Sequence, residues 1–238
     1  MTTGLIVALD FPDVDQAMAI ARGVRDHVDG FKVGHELLFG PDAAPVERVA
    51  GLGLPVFADA KLHDIPATVE AGARQLGRRG ARWVTVHASG GRQMLEAAVA
   101  GLNEGSEGSA GVLAVSVLTS LADDDLAAIG MMGEVGDQVS RLVALSASSG
   151  VEGVVCAVSE VATAKSTAPG LIAFTPGIRT GKEGVSDDQK RTSTVEEAVA
   201  AGSDYLVVGR PITRHSDPAG AAQSIKNQLS DSGMDGMG

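Results

Sequence analysis

Short apolar runs rich in Val, Ile, Leu and Ala recur along the chain, separated by stretches with helical spacing. The runs predict strands at 5–10, 30–34, 56–62, 83–87, 111–118, 153–156, 172–178 and 205–210. Short apolar strands alternating with helices imply a parallel sheet covered by helices. Eight such units predict an α/β fold of the closed (β/α)8 TIM-barrel type. An open doubly wound sheet is the competing architecture. The barrel is preferred because polar residues cluster at the ends of many strands rather than at one switch point.

The helices carry readable ends. Thr194 and Glu197 form a capping box before an apolar run at 195–201, and Gly202 stands where a helix C-terminus favours glycine. Pro218 after Asp217 opens the last helix. The Ser-, Gly-, Asp- and Met-rich tail at 230–238 is expected to fray. The stretch 180–193 is polar and Gly-containing and follows strand seven. Its place at the C-terminal end of a barrel strand predicts a mobile lid.

Composition narrows the function. A length of 238 residues with 44% hydrophobic and 21% charged positions suits one barrel domain over 1–238. The net charge of −11 argues against a nucleic-acid binder, and it makes any Lys or Arg in a cleft a candidate ligand for an anionic substrate. The single cysteine, Cys156, excludes an intrachain disulfide and fits a reducing, cytoplasmic setting. It lies in a strand end, Val154-Val155-Cys156-Ala157, and is expected to be a packed core residue. No apolar run approaches the ~20 residues of a membrane-spanning helix. The N-terminal residues run straight into a strand, leaving no room for a signal peptide.

The densest chemistry lies at Asp59-Ala60-Lys61-Leu62-His63-Asp64-Ile65-Pro66-Ala67-Thr68. Strand side chains alternate between faces. Val56, Ala58, Ala60 and Leu62 form one apolar face for the helices, so Phe57, Asp59 and Lys61 point into the barrel. Charges there lose hydration and need partners. Strand one ends in Asp10, and strand two carries Lys32 on the face opposite Phe31 and Val33. Asp10, Lys32, Asp59 and Lys61 therefore converge on one rim. Apolar layers would fill a purely structural barrel at lower cost, which favours a site. Pro66 suits the first turn of a helix, which leaves Asp64 open to an N-cap role. The histidines at 27, 35, 63, 87 and 215 have no close ligand spacing, so no metal is expected.

Strands seven and eight end in Thr175-Pro176-Gly177-Ile178-Arg179 and Val207-Val208-Gly209-Arg210. In barrels the loops after these strands frequently hold a phosphate. Gly209 lets the backbone N–H approach an anion, and Arg210 can clamp phosphate bidentately. Gln189, within the expected lid, can donate to the same group.

At these residues the sequence resembles the orotidine 5′-monophosphate decarboxylases, in their shorter prokaryotic form. The likeness runs from Leu5 to about Ile225 and rests most heavily on Asp59, Lys61, Asp64, Ile65-Pro66 and Thr68. It includes Ala8-Leu9-Asp10, Phe31-Lys32-Val33-Gly34, Val86 to Gly91, Val115 to Ser120, Asp188-Gln189 and Gly209-Arg210. The resemblance implies that Lys61 donates a proton to C6 of the pyrimidine, with Asp59 beside the departing carboxylate. It places Lys32 and Asp64 in an alternating charge network, and Asp10 with Lys32 against the ribose. It puts Thr119 near the pyrimidine, and Pro176, Arg179, Gln189, Gly209 and Arg210 around the phosphate and lid. It further implies a cofactor-free homodimer in which Asp64 and Thr68 reach the neighbouring site. Ser116, where relatives frequently carry Thr, and the stretch 181–188 depart from the pattern in detail. Two other readings remain. One is a Mg2+-dependent sugar-phosphate aldolase or decarboxylase, which shares the Asp-x-Lys-x-x-Asp segment. The other is a catalytically silent phosphate-ligand binder on the same barrel.

Overall fold

The computed structural model describes residues 3–179 and 192–234. Eight parallel strands close into a barrel in chain order. They are β1 (Gly4–Ala8), β2 (Gly30–Val33), β3 (Val56–Leu62), β4 (Trp83–His87), β5 (Gly111–Val115), β6 (Gly153–Val155), β7 (Ile172–Thr175) and β8 (Tyr205–Val208). The helices between and after them are α1 (Val14–Val24), α2 (His35–Leu38), α3 (Pro45–Ala50), α4 (Pro66–Arg78), α5 (Arg92–Ser106), α6 (Asp123–Ala128), α7 (Val135–Ala147), α8 (Val161–Thr167), α9 (Val195–Ala200), α10 (Arg210–Thr213) and α11 (Pro218–Met234). The last, α11, packs back against α1 and α9.

The strand alternation resolves into two cores. Leu5, Val7, Val56, Ala58, Val112, Ala114, Leu206 and Val208 face the helices in a continuous outer layer. Ile6, Ala8, Phe57, Trp83, Leu113, Phe174 and Val207 form a separate inner cluster. Its aromatics interlock: Phe174 stacks on Tyr205 at 4.6 Å and meets Trp83 edge-on at 5.0 Å and Phe57 at 5.5 Å. These rings fill the lower barrel. The charged residues are left to its mouth.

Several strands end sooner than their apolar runs suggest. Pairing stops at Ala8 rather than Asp10, and at Val115 rather than 118. It stops at Thr175 rather than 178, and at Val208 rather than 210. Strands two and six are each one residue shorter than expected. The physical reason is that burial outlasts pairing. Val117 and Ile178 are 4% and 1% exposed yet lie beyond the paired strands, where the chain turns into the mouth loops. Gly177 takes the left-handed conformation at this exit, with φ of 83°.

The helix signals hold. Thr194 accepts from the Glu197 backbone N–H at 3.2 Å, and Glu197 accepts from that of Thr194 at 2.9 Å. Ala201 caps α9, which ends one residue earlier than read, and Gly202 follows at φ 88°. Helix α11 continues through 230 to Met234, and the rest of the expected tail, 235–238, lies outside the described residues. Ser230 supports the continuation by donating its hydroxyl back to the Lys226 carbonyl at 3.0 Å.

Candidate active site

Four charged side chains, from β2, β3 and the segment just after β1, meet at the barrel mouth. Lys32 Nζ donates to Asp10 Oδ1 at 2.8 Å and lies 3.4 Å from Asp59 Oδ2. Lys61 Nζ reaches both Asp59 oxygens, at 2.7 and 2.8 Å. The result is an alternating row, Asp10–Lys32–Asp59–Lys61, whose formal charges cancel. Asp59 is its buried centre at 8% exposed.

Burial pushes the Asp59 carboxyl up, but Lys32 and Lys61, with hydrogen bonds from Lys61 and Thr85, outweigh it and hold the group below the usual carboxylate range. Burial works against the Lys32 ammonium, yet Asp59 and Asp10 together raise it above the ordinary lysine value. Both groups are therefore charged at neutral pH. Gly34 makes the packing possible. A Cβ there would stand 2.7 Å from Asp10 Oδ1 and 2.9 Å from Lys32 Nζ.

Strand β3 does not run straight into this array. Its register with β4 shifts between Ala58 and Leu62, so four residues on β3 advance against two on β4. Lys61 takes up the irregularity with a left-handed backbone, φ 47°. Its N–H donates to Thr85 Oγ1 at 2.9 Å, and Thr85 donates onward to Asp59 Oδ1 at 2.9 Å.

The row opens on a cavity of about 280 Å³. Ala8, Phe57, Val115, Val155 and Val207 form its apolar floor and walls, with Leu118 and Thr119 on one side. Pro176, Gly177, Arg179, Gly209 and Arg210 close the side made by the last two strands. A Cβ on Gly209 would point toward Ala8 and Asp10, so glycine keeps that part of the cavity open. An ammonium has three donors, and Asp59 engages two from Lys61. The third can serve a ligand held over the apolar floor. Cations at one end and a poised ammonium at the other suit an anionic, flat, partly apolar ligand.

The sequence matches the model of the orotidine 5′-phosphate decarboxylase / HUMPS family over residues 3–225. The chain belongs to this family. It is 44% identical over 229 residues to the orotidine 5′-phosphate decarboxylase of Sphingopyxis alaskensis, covering 96% of this chain and all of that protein. The corresponding protein of Nitratidesulfovibrio vulgaris is 44% identical over 231 residues, covering 94% of this chain and 97% of its own. Among solved structures, the orotidine 5′-phosphate decarboxylase of Lactobacillus acidophilus superposes with a TM-score of 0.85 at 35% identity, covering 95% of this chain and 99% of that one.

Of the positions expected from the decarboxylase motif, the cavity gathers Asp10, Lys32, Asp59, Lys61, Thr119, Pro176, Arg179, Gly209 and Arg210. Asp64 and Thr68 are not among its lining residues. They stand exposed on the run 63–68, where Asp64 Oδ1 accepts the Ile65 N–H at 2.6 Å. Asp64 is not the helix N-cap either, since Ile65 occupies that place. Gln189 and 180–191, most of the expected lid, lie outside the described residues. Among the described residues, no group of three or more His, Cys, Asp or Glu could hold a metal ion, and no helix is long and apolar enough to cross a membrane. Cys156 is buried in the outer core, as read.

Sequence reading passed over Thr85. It shares a face with Trp83 in a strand whose alternation turns that face inward. Its place on the inward face between Trp83 and His87 was the available signal. It also passed over His35, whose Nε2 lies 3.0 Å from the Ala60 carbonyl and ties α2 to β3 just before Lys61.

Proposed function

We propose that this chain removes CO2 from orotidine 5′-monophosphate to give UMP, a step of pyrimidine nucleotide biosynthesis, with no metal or organic cofactor. The observation that carries the reading is the Lys61 ammonium, fixed by both oxygens of a buried Asp59 at the edge of a cavity that Arg179 and Arg210 also line. The names of the relatives at 44% identity point the same way.

In this reading the phosphate lies against Arg179, Gly209 and Arg210, with Gln189 added by resemblance. The ribose meets Asp10 and Lys32. The pyrimidine covers the apolar floor beside Thr119, with C6 toward Lys61. The C6–carboxylate bond breaks, CO2 departs, and the electron pair stays on C6. Lys61 opposes that charge as it develops and then transfers a proton to C6, leaving a neutral amine that solvent reprotonates. Asp59 keeps Lys61 charged and oriented. It also stands near the substrate carboxylate, a repulsion that fades as CO2 forms. Phosphate binding, remote from the reacting bond, holds the ring in place while this happens.

Asp64, which the resemblance adds to the charge network, and with it Thr68, belong to the site of a second copy in a homodimer. The exposure of the run 63–68, with Ile65 at 66%, supports a covering partner there. The cytoplasm is the proposed compartment, in keeping with a single buried cysteine.

The test is an absorbance assay of purified protein with orotidine 5′-monophosphate in EDTA. The pyrimidine band should bleach at the same rate with and without chelator. Activity lost in EDTA would move the chain to metal-dependent sugar-phosphate chemistry. Tight UMP binding without bleaching would make it a silent binder.

A further inference from the structure

Resting on the decarboxylase reading, we infer that Thr85 is a positioning residue for the reaction, holding Lys61 and Asp59 in register through its one hydroxyl. Thr85 is fully buried in β4 and is not among the residues lining the cavity, so it touches no substrate. Its hydroxyl makes two hydrogen bonds, and both go to the residues on which the proton transfer depends. It accepts the Lys61 backbone N–H at 2.9 Å and donates to Asp59 Oδ1 at 2.9 Å.

Each bond answers a specific need. Lys61 is one of two non-glycine residues with positive φ among those described, at 47°. Such a backbone is sparsely populated for a residue with a long side chain and persists only where neighbours hold it. The register shift of β3 has removed regular strand pairing at this point, so a side chain must satisfy the Lys61 N–H. Thr85 does so. Its second bond fixes the carboxylate that grips Lys61 Nζ. Backbone and side chain of the proton donor are thus tied to one buried oxygen, through two routes.

A structural filler would not look like this. The neighbouring strand residues Val84 and Val86 are apolar and buried. Valine has nearly the shape of threonine and would fill the same space without burying a hydroxyl. The hydroxyl is tolerable because it is fully bonded. The hydrogen bond from Thr85 also helps hold Asp59 ionised against burial.

The experiment compares Thr85→Val with Thr85→Ser, using orotidine 5′-monophosphate. Thr85→Val should lower kcat by about 10- to 100-fold, the scale of a small misplacement of a reacting group, while KM stays within about threefold. The proposed phosphate contacts, at Arg179, Gly209 and Arg210, lie on β7 and β8 exits that Thr85 does not bond. Thr85→Ser keeps the hydroxyl and should restore kcat to within about threefold of wild type. Wild-type kcat in Thr85→Val would overturn the inference, as would equal losses in the Val and Ser variants or a loss confined to KM. If Thr85→Val does not fold, Thr85→Ala removes the same hydroxyl and is judged by the same outcomes. A wild-type protein that fails to bleach the substrate would instead refute the decarboxylase reading itself, so the two failures are separable.

Discussion

Asp59 is the residue on which the charge row turns, because both lysines share it. Its pKa is depressed in the folded chain, so its stabilisation is complete above the unfolded value and fades as pH falls through the folded one. For Lys32 the folded value is raised. Its contribution is complete below the unfolded value and lost as pH climbs through the folded one. Between roughly pH 5 and 9 the row should therefore contribute evenly. Asp59→Asn leaves the half-buried Lys61 ammonium without its carboxylate partner and Lys32 with Asp10 alone, and should cost about 2 kcal/mol throughout that window. Denaturant titrations of both proteins across the range check it. A deficit that disappears by pH 5 would mean that Asp59 is not depressed. Arg210→Ala should lower kcat/KM for the nucleotide by about 10- to 100-fold, the worth of a charged hydrogen bond. A substrate lacking its phosphate should be indifferent to that change, and equal losses on both would remove Arg210 from the phosphate site. Asp59 and Lys61 were legible from alternation alone, and Asp10 and Lys32 from their places in neighbouring strands. Thr85 was not, because a threonine in a strand reads as an ordinary β-branched residue until its partners are seen.

Element by element, the sequence pattern located every strand, matched the bounds of β3 and β4, and placed the ends of the other six too far out. Hydrophobicity reports burial, and Val117 and Ile178 are buried by the mouth loops after ladder pairing has ceased. The pattern was silent on the register shift in β3, since the apolar positions 56, 58 and 62 fit unbroken alternation. Caps were legible because their chemistry is local, as at Thr194, Glu197 and Gly202. Helix pairing was not, and α4 against α5 is the clearest case. There Gly77, Gly101 and Gly105 let the two backbones approach so closely that a Cβ at Gly101 would overlap the Glu70 backbone. Gly101→Ala should destabilise the fold by about 2 kcal/mol, despite alanine's better helix propensity, because the helices must separate. Thermal unfolding measures this, and an unchanged or raised Tm would refute the close approach.

For the whole molecule, eight apolar runs implied a closed barrel, and the closed barrel brings Asp10 and Lys32 beside Arg210 from the far end of the chain. The arrangement of copies was not legible from periodicity, because Asp64 and Thr68 acquire meaning only from the family resemblance and their exposure. If their site lies in a partner, Lys61→Ala and Asp64→Ala proteins should each be inactive alone yet complement when mixed. Half of the randomly paired dimers would be mixed, each with one intact site of two, restoring about a quarter of wild-type activity. No recovery after subunit exchange would mean that Asp64 does not act in a partner's site, and full activity of Asp64→Ala alone would place it outside the site.

The most direct measurement is single-turnover decarboxylation by Lys61→Ala beside calorimetric titration of the same protein with UMP. The ammonium that Asp59 holds should prove indispensable to chemistry, with turnover falling more than about 10³-fold while UMP still binds. Turnover within about tenfold of wild type would contradict a central role for Lys61.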